Sequence, residues 1–310
     1  MVVVVVVFLL ALINELTALS FNQPKFCPIA KWNRVATTFA NAQVLDTGGA
    51  DIFIDINNTI YISATARNQI LVWSRDSTQP MIIDESERWM ITSLFVSNIG
   101  DIYISCCDTE IIKWELSANR STAIMDVNAH CFAMFIDIDN FLYFSIAMES
   151  IVKKRQIDSD EQMVVVAGTG QHGSAVNELH DPAGIFVDTN FELYVADSGN
   201  DRIQRFLLDD KNGRTVAGQS SSDITITLSC PRSISLDADK YLFIADSENN
   251  RIVASGPNGF RCLFGCDGDG TESHQLEMPE KLRFDVFGNI FIYDQDNNRV
   301  QKINLQKNSC

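Results

Sequence analysis

YVADSGNDRI (194–203), FIADSENNRI (243–252) and FIYDQDNNRV (291–300) align without a gap, and that alignment decides the fold. A proline stands twelve residues before each leading aromatic, at Pro182, Pro231 and Pro279, with an aspartate halfway between at Asp188, Asp237 and Asp285. Three weaker copies come earlier: YISATARNQI (61–70), YISCCDTEII (103–112) and YFSIAMESIV (143–152), with Asp55, Ser97 and Asp137 six residues before the tyrosine. The anchors Tyr61, Tyr103, Tyr143, Tyr194, Phe243 and Phe291 lie 42, 40, 51, 49 and 48 residues apart. That is the spacing of propeller blades.

Inside a copy the pattern is that of strands. GIFVD, LYVAD and RIQRF are short, rich in β-branched and aromatic residues, and separated by polar turn residues. A fourth strand follows as VVVAG (164–168), RTVAG (214–218) and CLFG (262–265). Four antiparallel strands in six copies specify an all-β, six-bladed β-propeller. Its blades run over about 44–83, 84–126, 127–168, 169–218, 219–265 and 266–305. The last copy runs out of chain for a fourth strand after Leu305, while RVATTFA (34–40) has no copy of its own. This N-terminal strand is expected to complete the last blade and close the ring, removing exposed sheet edges. A ring also explains how 310 residues, 46% of them hydrophobic, make one domain, because each blade buries its apolar face on its neighbours.

The strong copies resemble NHL repeats, whose pattern runs Pro, then Gly-Ile-x-Val-Asp, then Tyr-Val-Ala-Asp-Ser-x-Asn-x-Arg-Ile. DPAGIFVD (181–188) and residues 194–203 match it closely, and AGTGQHGSAVNELHDP (167–182) resembles the family's link between blades. The resemblance covers most of residues 44–305, strongly from about 164 onward. It implies an interaction module: the family includes substrate-recruiting domains of RING ubiquitin ligases, RNA binders and bacterial sensor ectodomains. A related propeller carries the lyase of peptide amidation.

In the turn motif the aspartate closes the second strand and the arginine opens the third. Asp197 is then placed to pair with Arg202, Asp246 with Arg251 and Asp294 with Arg299. Taken as exposed pairs, they contribute about 0.2–1 kcal/mol each and orient the hairpin. The weak copies carry Ala64, Cys106 and Ile146 at the aspartate position and Gln69, Ile111 and Ile151 at the arginine position. Two readings stand: drift in an ornamental motif, or an apolar docking patch over the first three blades.

Val2 to Ile13 is an unbroken apolar run, and Ala18 and Ser20 lie three and one positions before Phe21, as signal peptidase requires. Residues 1–20 therefore read as a signal peptide, although the segment before the apolar run has no Lys or Arg. As a helix the run spans about 18 Å, against about 30 Å of bilayer hydrocarbon, which argues against an anchor. Export makes the eight cysteines disulfide candidates. Cys27 precedes the borrowed strand and Cys310 follows its partner, so these two are expected to bond. Cys131 is expected to bond to Cys107 or its neighbour Cys106, since a bond between adjacent cysteines is strained. The pairing of Cys230, Cys262 and Cys266 stays open. Asn57 and Asn119 head glycosylation sequons.

A net charge of -16 and a pI near 4.6 argue against nucleic acid as a partner. His130, His172, His180 and His274 could face the channel mouth, as zinc ligands do in amidating-lyase propellers. Spacing alone does not establish that they converge, so no metal ligand, cofactor or catalytic residue is assigned. Asp267-Gly268-Asp269-Gly270 resembles the start of a calcium loop, but Met278 holds the twelfth position where an EF-hand needs Glu. Trp73 and Trp114 end third strands, where Phe206 stands in the fourth copy, and read as inter-blade packing. The expectation is an extracellular, monomeric binding or scaffold protein that takes a protein, peptide or glycan on one face and leaves the membrane once its signal is cleaved. The alternative is a metal-dependent propeller enzyme of the amidating-lyase or lactonase kind. A third reading is a recognition propeller like those of RING ligases, without the RING.

Overall fold

The computed structural model describes residues 19–45, 49, 51–84, 91–106, 109–159, 161–219, 221 and 226–307. Its strands form six sheets of four, and in five of them the order follows the sequence from the channel outward. The fourth blade is typical, with Pro182–Val187, Leu193–Asp197, Arg202–Phe206 and Arg214–Gly218 paired antiparallel in turn. The sixth blade is Pro279–Phe284, Ile290–Asp294 and Arg299–Ile303, completed by Thr37–Ala40. Thr37 lies opposite Lys302 and Thr38 opposite Gln301. The ring is thus closed by the N-terminal strand, as the repeat count requires. The end carrying the turns between second and third strands is here called upper. Turns between first and second strands, and between third and fourth, lie on the lower end.

The repeated residues each have a structural task. The aspartate halfway through five of the six copies caps the first turn: Asp137 Oδ1 accepts from the backbone N–H groups of Asp139 and Phe141, both at 2.9 Å. Asp55, Asp188, Asp237 and Asp285 repeat this arrangement. The serine after the turn aspartate joins neighbouring blades, because Ser198 Oγ donates to the carbonyl of Pro231 and Ser247 Oγ to that of Pro279, each at 2.5 Å. Gly184 lets adjacent first strands approach; a Cβ there would stand 2.6 Å from the Arg232 carbonyl oxygen. Trp73, Trp114 and Phe206 are buried, and Trp73 packs edge-on against Phe39 of the closing strand, with ring centres 5.2 Å apart.

The turn pairs form, but they are not exposed. The Asp197, Asp246 and Asp294 side chains are fully buried, and those of Arg202, Arg251 and Arg299 retain 4%, 24% and 13% exposure. The reason is that each arginine also ties down the connector leading into its own blade. Arg202 donates to Asp197 Oδ2 at 2.6 Å and to the carbonyls of Ser174, Ala175 and Glu178. The apolar patch is corrected on the same ground. Ala64, Ile111, Ile146 and Ile151 are all buried, so these positions present no exposed apolar patch; the third blade replaces the buried pair with two buried isoleucines, and the first sets Ala64 against a half-buried Gln69. In the second blade Ile111 faces Ser105 rather than Cys106.

Cys262 and Cys266 form a disulfide. Cys131 does not bond to Cys107 as expected: it is a free thiol, wholly buried just before the first strand of its blade. Cys107 lies outside the described residues. Cys27 is disulfide-bonded; its expected partner, Cys310, also lies outside them. Asn57 and Asn119 are exposed on lower turns. Among the described residues no helix is long and apolar enough to cross a membrane.

Candidate functional site: the channel and its upper mouth

First strands line the central channel, and four of them present a phenylalanine to it. Phe53, Phe95, Phe135 and Phe186 stand in sequence around the axis, with neighbouring ring centres 4.7–5.1 Å apart. Ser235 and Arg283 complete this layer. The chain's own N-terminal segment closes the lower end beneath it. The Phe21 ring lies 4.9 Å from that of Phe135 and 5.3 Å from that of Phe186. Asn22 Nδ2 donates to the carbonyls of Ile54, Asp55 and Phe284, at 3.1, 2.9 and 3.1 Å. Gln23 bonds to the Asp237 carbonyl, and Phe26 packs against Trp32, Phe243 and Phe284. Leu19 and Ser20, which precede the expected cleavage point, also pack inward.

Above the aromatic layer the channel is polar. Asp51 accepts from Ser93 Oγ at 2.8 Å and from the backbone N–H groups of Ile52 and Leu94. Arg283 donates to the Leu282 carbonyl at 2.8 Å, with its other end 3.9 Å from Asp51. Burial pushes the guanidinium down from its usual range, and the nearby Asp51 charge opposes that. A fifth of the Arg283 side chain remains exposed.

The upper end opens into a cavity of about 230 Å³ lined by Gly49, Thr65, Ile91, Thr92, His130, Cys131, Phe132, Ala147, Met148, Glu280 and Lys281. Its floor holds Lys281, whose ammonium lies 4.4 Å from the Phe132 ring centre and donates to the Phe132 carbonyl at 3.2 Å. Met148 projects from the rim, 78% exposed. The mouth therefore offers a mainly apolar wall over the buried Lys281 ammonium, with the Glu280 carboxylate also in the lining. Cys131 is no nucleophile at neutral pH, since burial pushes its thiol up to about 12.

Of the four histidines, only His130 lines this mouth. His172 and His180 meet elsewhere on the upper rim, between the third and fourth blades, with ring centres 5.0 Å apart. Together with Asp181 they offer three ligand atoms within 4.8 Å of one another. His274 joins neither group. Sequence reading missed the mouth residues Phe132, Met148 and Lys281 and the plug around Phe21. One signal was available: a phenylalanine two residues before Asp55, Ser97, Asp137 and Asp188 recurs in four copies and marks the channel wall.

No family model matches the chain, and no curated protein matches it in sequence. Solved structures do match, and they share the six-bladed architecture. A Bacteroides thetaiotaomicron protein of unknown function is 14% identical, with a TM-score of 0.68 over 88% of this chain and 76% of its own. A streptogramin B lyase is 14% identical, with a TM-score of 0.62 over 91% and 100%. An auxiliary nutrient binding protein from Bacteroides ovatus is 14% identical, with a TM-score of 0.62 over 93% and 76%. At such identities the likeness is one of fold. The chain is a six-bladed propeller, an architecture found in enzymes and in binding proteins.

Proposed function

We propose that the chain is a secreted propeller of NHL-type repeats that binds a protein, peptide or glycan at its upper mouth. The observation that carries this reading is the difference between the two ends of the channel: residues 21–26 plug the lower one, and the upper one is open. A ligand presenting an apolar group and an acceptor or anionic atom fits the Phe132–Met148 wall above Lys281. Secretion is supported by the apolar segment at 2–13 and by the Cys262–Cys266 disulfide, a bond of oxidising compartments. Both sequon asparagines sit on the lower end, so glycans there would leave the upper face clear.

The test is to probe peptide and glycan arrays with the full chain, with Met148→Asp and with Phe287→Ser, the last on an exposed lower turn. The reading expects a ligand whose binding falls at least tenfold in Met148→Asp and stays unchanged in Phe287→Ser. Binding lost only in Phe287→Ser would overturn it. A metal-dependent enzyme is the competing class; among the described residues it finds one imidazole at the mouth. Turnover of a lactone or a lyase substrate that Met148→Asp abolishes would favour that class instead.

A further inference from the structure

The connector between the third and fourth blades carries donors that the fold does not ask for. We propose that His172, His180 and Asp181 bind one divalent transition-metal cation, Zn²⁺ by their chemistry, and thereby fasten the third blade to the fourth on the upper rim. This goes beyond the mouth reading and does not depend on it.

The sixth blade supplies an internal control, because its connector has the same backbone. Gly173 N–H donates to the Leu179 carbonyl at 3.2 Å, as Gly270 does to Leu276 at 3.3 Å. Asn200 holds the Gly173 carbonyl, as Asn297 holds that of Gly270. His180 N–H donates to Asp197 Oδ1 at 2.7 Å, and Glu277 and Ser229 do the same to Asp294 and Asp246. The residue next along has positive φ in all three blades: Asp181, Cys230 and Met278. The fold therefore accepts His, Glu or Ser at the first position and Asp, Cys or Met at the second. Only the fourth-blade connector has His and Asp there together, and only it adds a histidine nine residues before the aspartate.

The surroundings orient these donors. In the later blades the residue ending the upper turn bonds to the residue before the proline: Asp201 Oδ1 accepts from Cys230 N–H, and Asn250 Oδ1 from Met278 N–H, both at 2.8 Å. In the third blade that residue is Ser150, fully buried, and its Oγ lies 2.9 Å from His172 Nδ1 instead. With the proton on Nδ1, His172 Nε2 is left as a bare ligand, the orientation that outer partners give metal-bound imidazoles. The His180 ring sits on Gly199, where a Cβ would come within 2.6 Å of it, and its Nε2 lies 3.9 Å from Asp181 Oδ2. Bonds of about 2.0–2.2 Å in a tetrahedral site put ligand atoms about 3.3 Å apart. Small side-chain rotations close the observed spacing, and the exposed side of the cluster leaves a fourth position for water.

Two imidazoles and one carboxylate are a borderline donor set that suits Zn²⁺ and discriminates against Ca²⁺ and Mg²⁺, which prefer oxygen. Because His172 leans on the third blade's turn and His180 on the fourth's, a bound ion cross-links the two hairpins.

The experiment uses the full chain after chelation, titrated with Zn²⁺ by calorimetry, with Mg²⁺ as a control. One equivalent is expected, with a higher unfolding midpoint and slower amide exchange at residues 147–150 and 172–181. His172→Gln and His180→Ala should abolish the equivalent, and Asp181→Asn, which removes the anionic ligand, should weaken it measurably. The variants' own midpoints in chelator should match the parent's, which separates lost ligands from lost fold. No saturable equivalent at high micromolar Zn²⁺, or one that persists in His172→Gln, overturns the proposal.

Discussion

Replacing Arg202 with Ala removes the most buried cation of the three turn pairs. The carboxylate of Asp197 would stay fully buried with only the His180 N–H and Asn200 Nδ2 as partners, and the Ser174, Ala175 and Glu178 carbonyls would lose their donor. Stranding one half of a buried ion pair costs about 3–5 kcal/mol. Arg251 is about a quarter exposed and holds Asp246 and the Thr227 carbonyl, so water can take part of its place in Arg251→Ala. A lost charge-assisted bond in that setting costs about 1.5–3 kcal/mol. The two variants, unfolded in urea, should therefore rank in this order. Amide exchange would place the loss in the fourth-blade connector for Arg202→Ala and in the fifth for Arg251→Ala. If Arg202→Ala costs less than about 1 kcal/mol, the value typical of exposed pairs, the inference that the connector hangs on this arginine is wrong. Equal costs for the two variants would refute the ranking by burial.

Phe21→Ala should cost about 3 kcal/mol, because its ring contacts Phe95, Phe135 and Phe186, and should speed amide exchange around Asp55; an unchanged midpoint would mean that the plug is decorative. Burial raises the Asp137 and Asp237 carboxyls above their usual range, so the folded ring binds protons there more readily than the unfolded chain. Stability should then rise as pH falls from neutral through those raised values, level off below the ordinary value of about 3.9, and be lost again as pH rises. Urea midpoints at intervals between neutral and mildly acid pH test this, and a slope unchanged in Asp137→Asn and Asp237→Asn would assign it to other groups, the Asp197 and Asp294 carboxyls that burial also raises or the overall charge. Cys27→Ser should lower the free energy of unfolding by up to about 5 kcal/mol, the limit for a loop of almost the whole chain, and should expose Cys310 to alkylation; a Cys310 that reacts in the native, non-reduced protein removes the closure bond.

Much of the fold was legible because repetition amplifies weak local signals. One copy of LYVAD could be any strand, but six anchors at blade spacing leave few architectures, and the missing fourth strand of the last copy pointed to Thr37–Ala40. What the sequence concealed was burial. YVADSGNDRI reads as a polar surface hairpin, yet the connector folds over it and carries three carbonyls to Arg202. That contact depends on residues 24 to 28 positions away, beyond the reach of any periodicity. The mouth was hidden for the same reason, since Phe132 and Lys281 are 149 residues apart in the chain and meet only when the ring closes. His172 and His180 are close in sequence, but eight residues of irregular loop do not reveal that a parallel bridge between His172 and Leu179 turns the two rings towards each other.

The two halves of the ring solve one packing problem in two ways. In the fourth blade Asp197 faces Arg202 across the upper hairpin; in the third, Ile146 faces Ile151 at the same place in the ladder. Both sites are buried. A buried ion pair exchanged for well-packed apolar groups is often neutral for stability, while a half-exchanged pair is strongly destabilising. The third blade has accordingly changed both members, and the first, with Ala64 facing Gln69, has kept neither charge. What the exchange gives up is the arginine's grip on its connector. The later connectors are fixed by the ion-paired Arg202, Arg251 and Arg299, whereas the first blade uses the exposed Arg67 of its upper turn, which donates to the Gln43 carbonyl at 3.3 Å. The walls of the upper mouth come mainly from this earlier half, through Thr65, Thr92, His130, Phe132 and Met148, with Glu280 and Lys281 added from the sixth blade. The division therefore falls across the mouth: the later blades hold their connectors through buried ion-paired arginines, while the blades that supply most of the wall use other bonds, such as that from Thr65 Oγ1 to the Ile91 carbonyl at 2.8 Å.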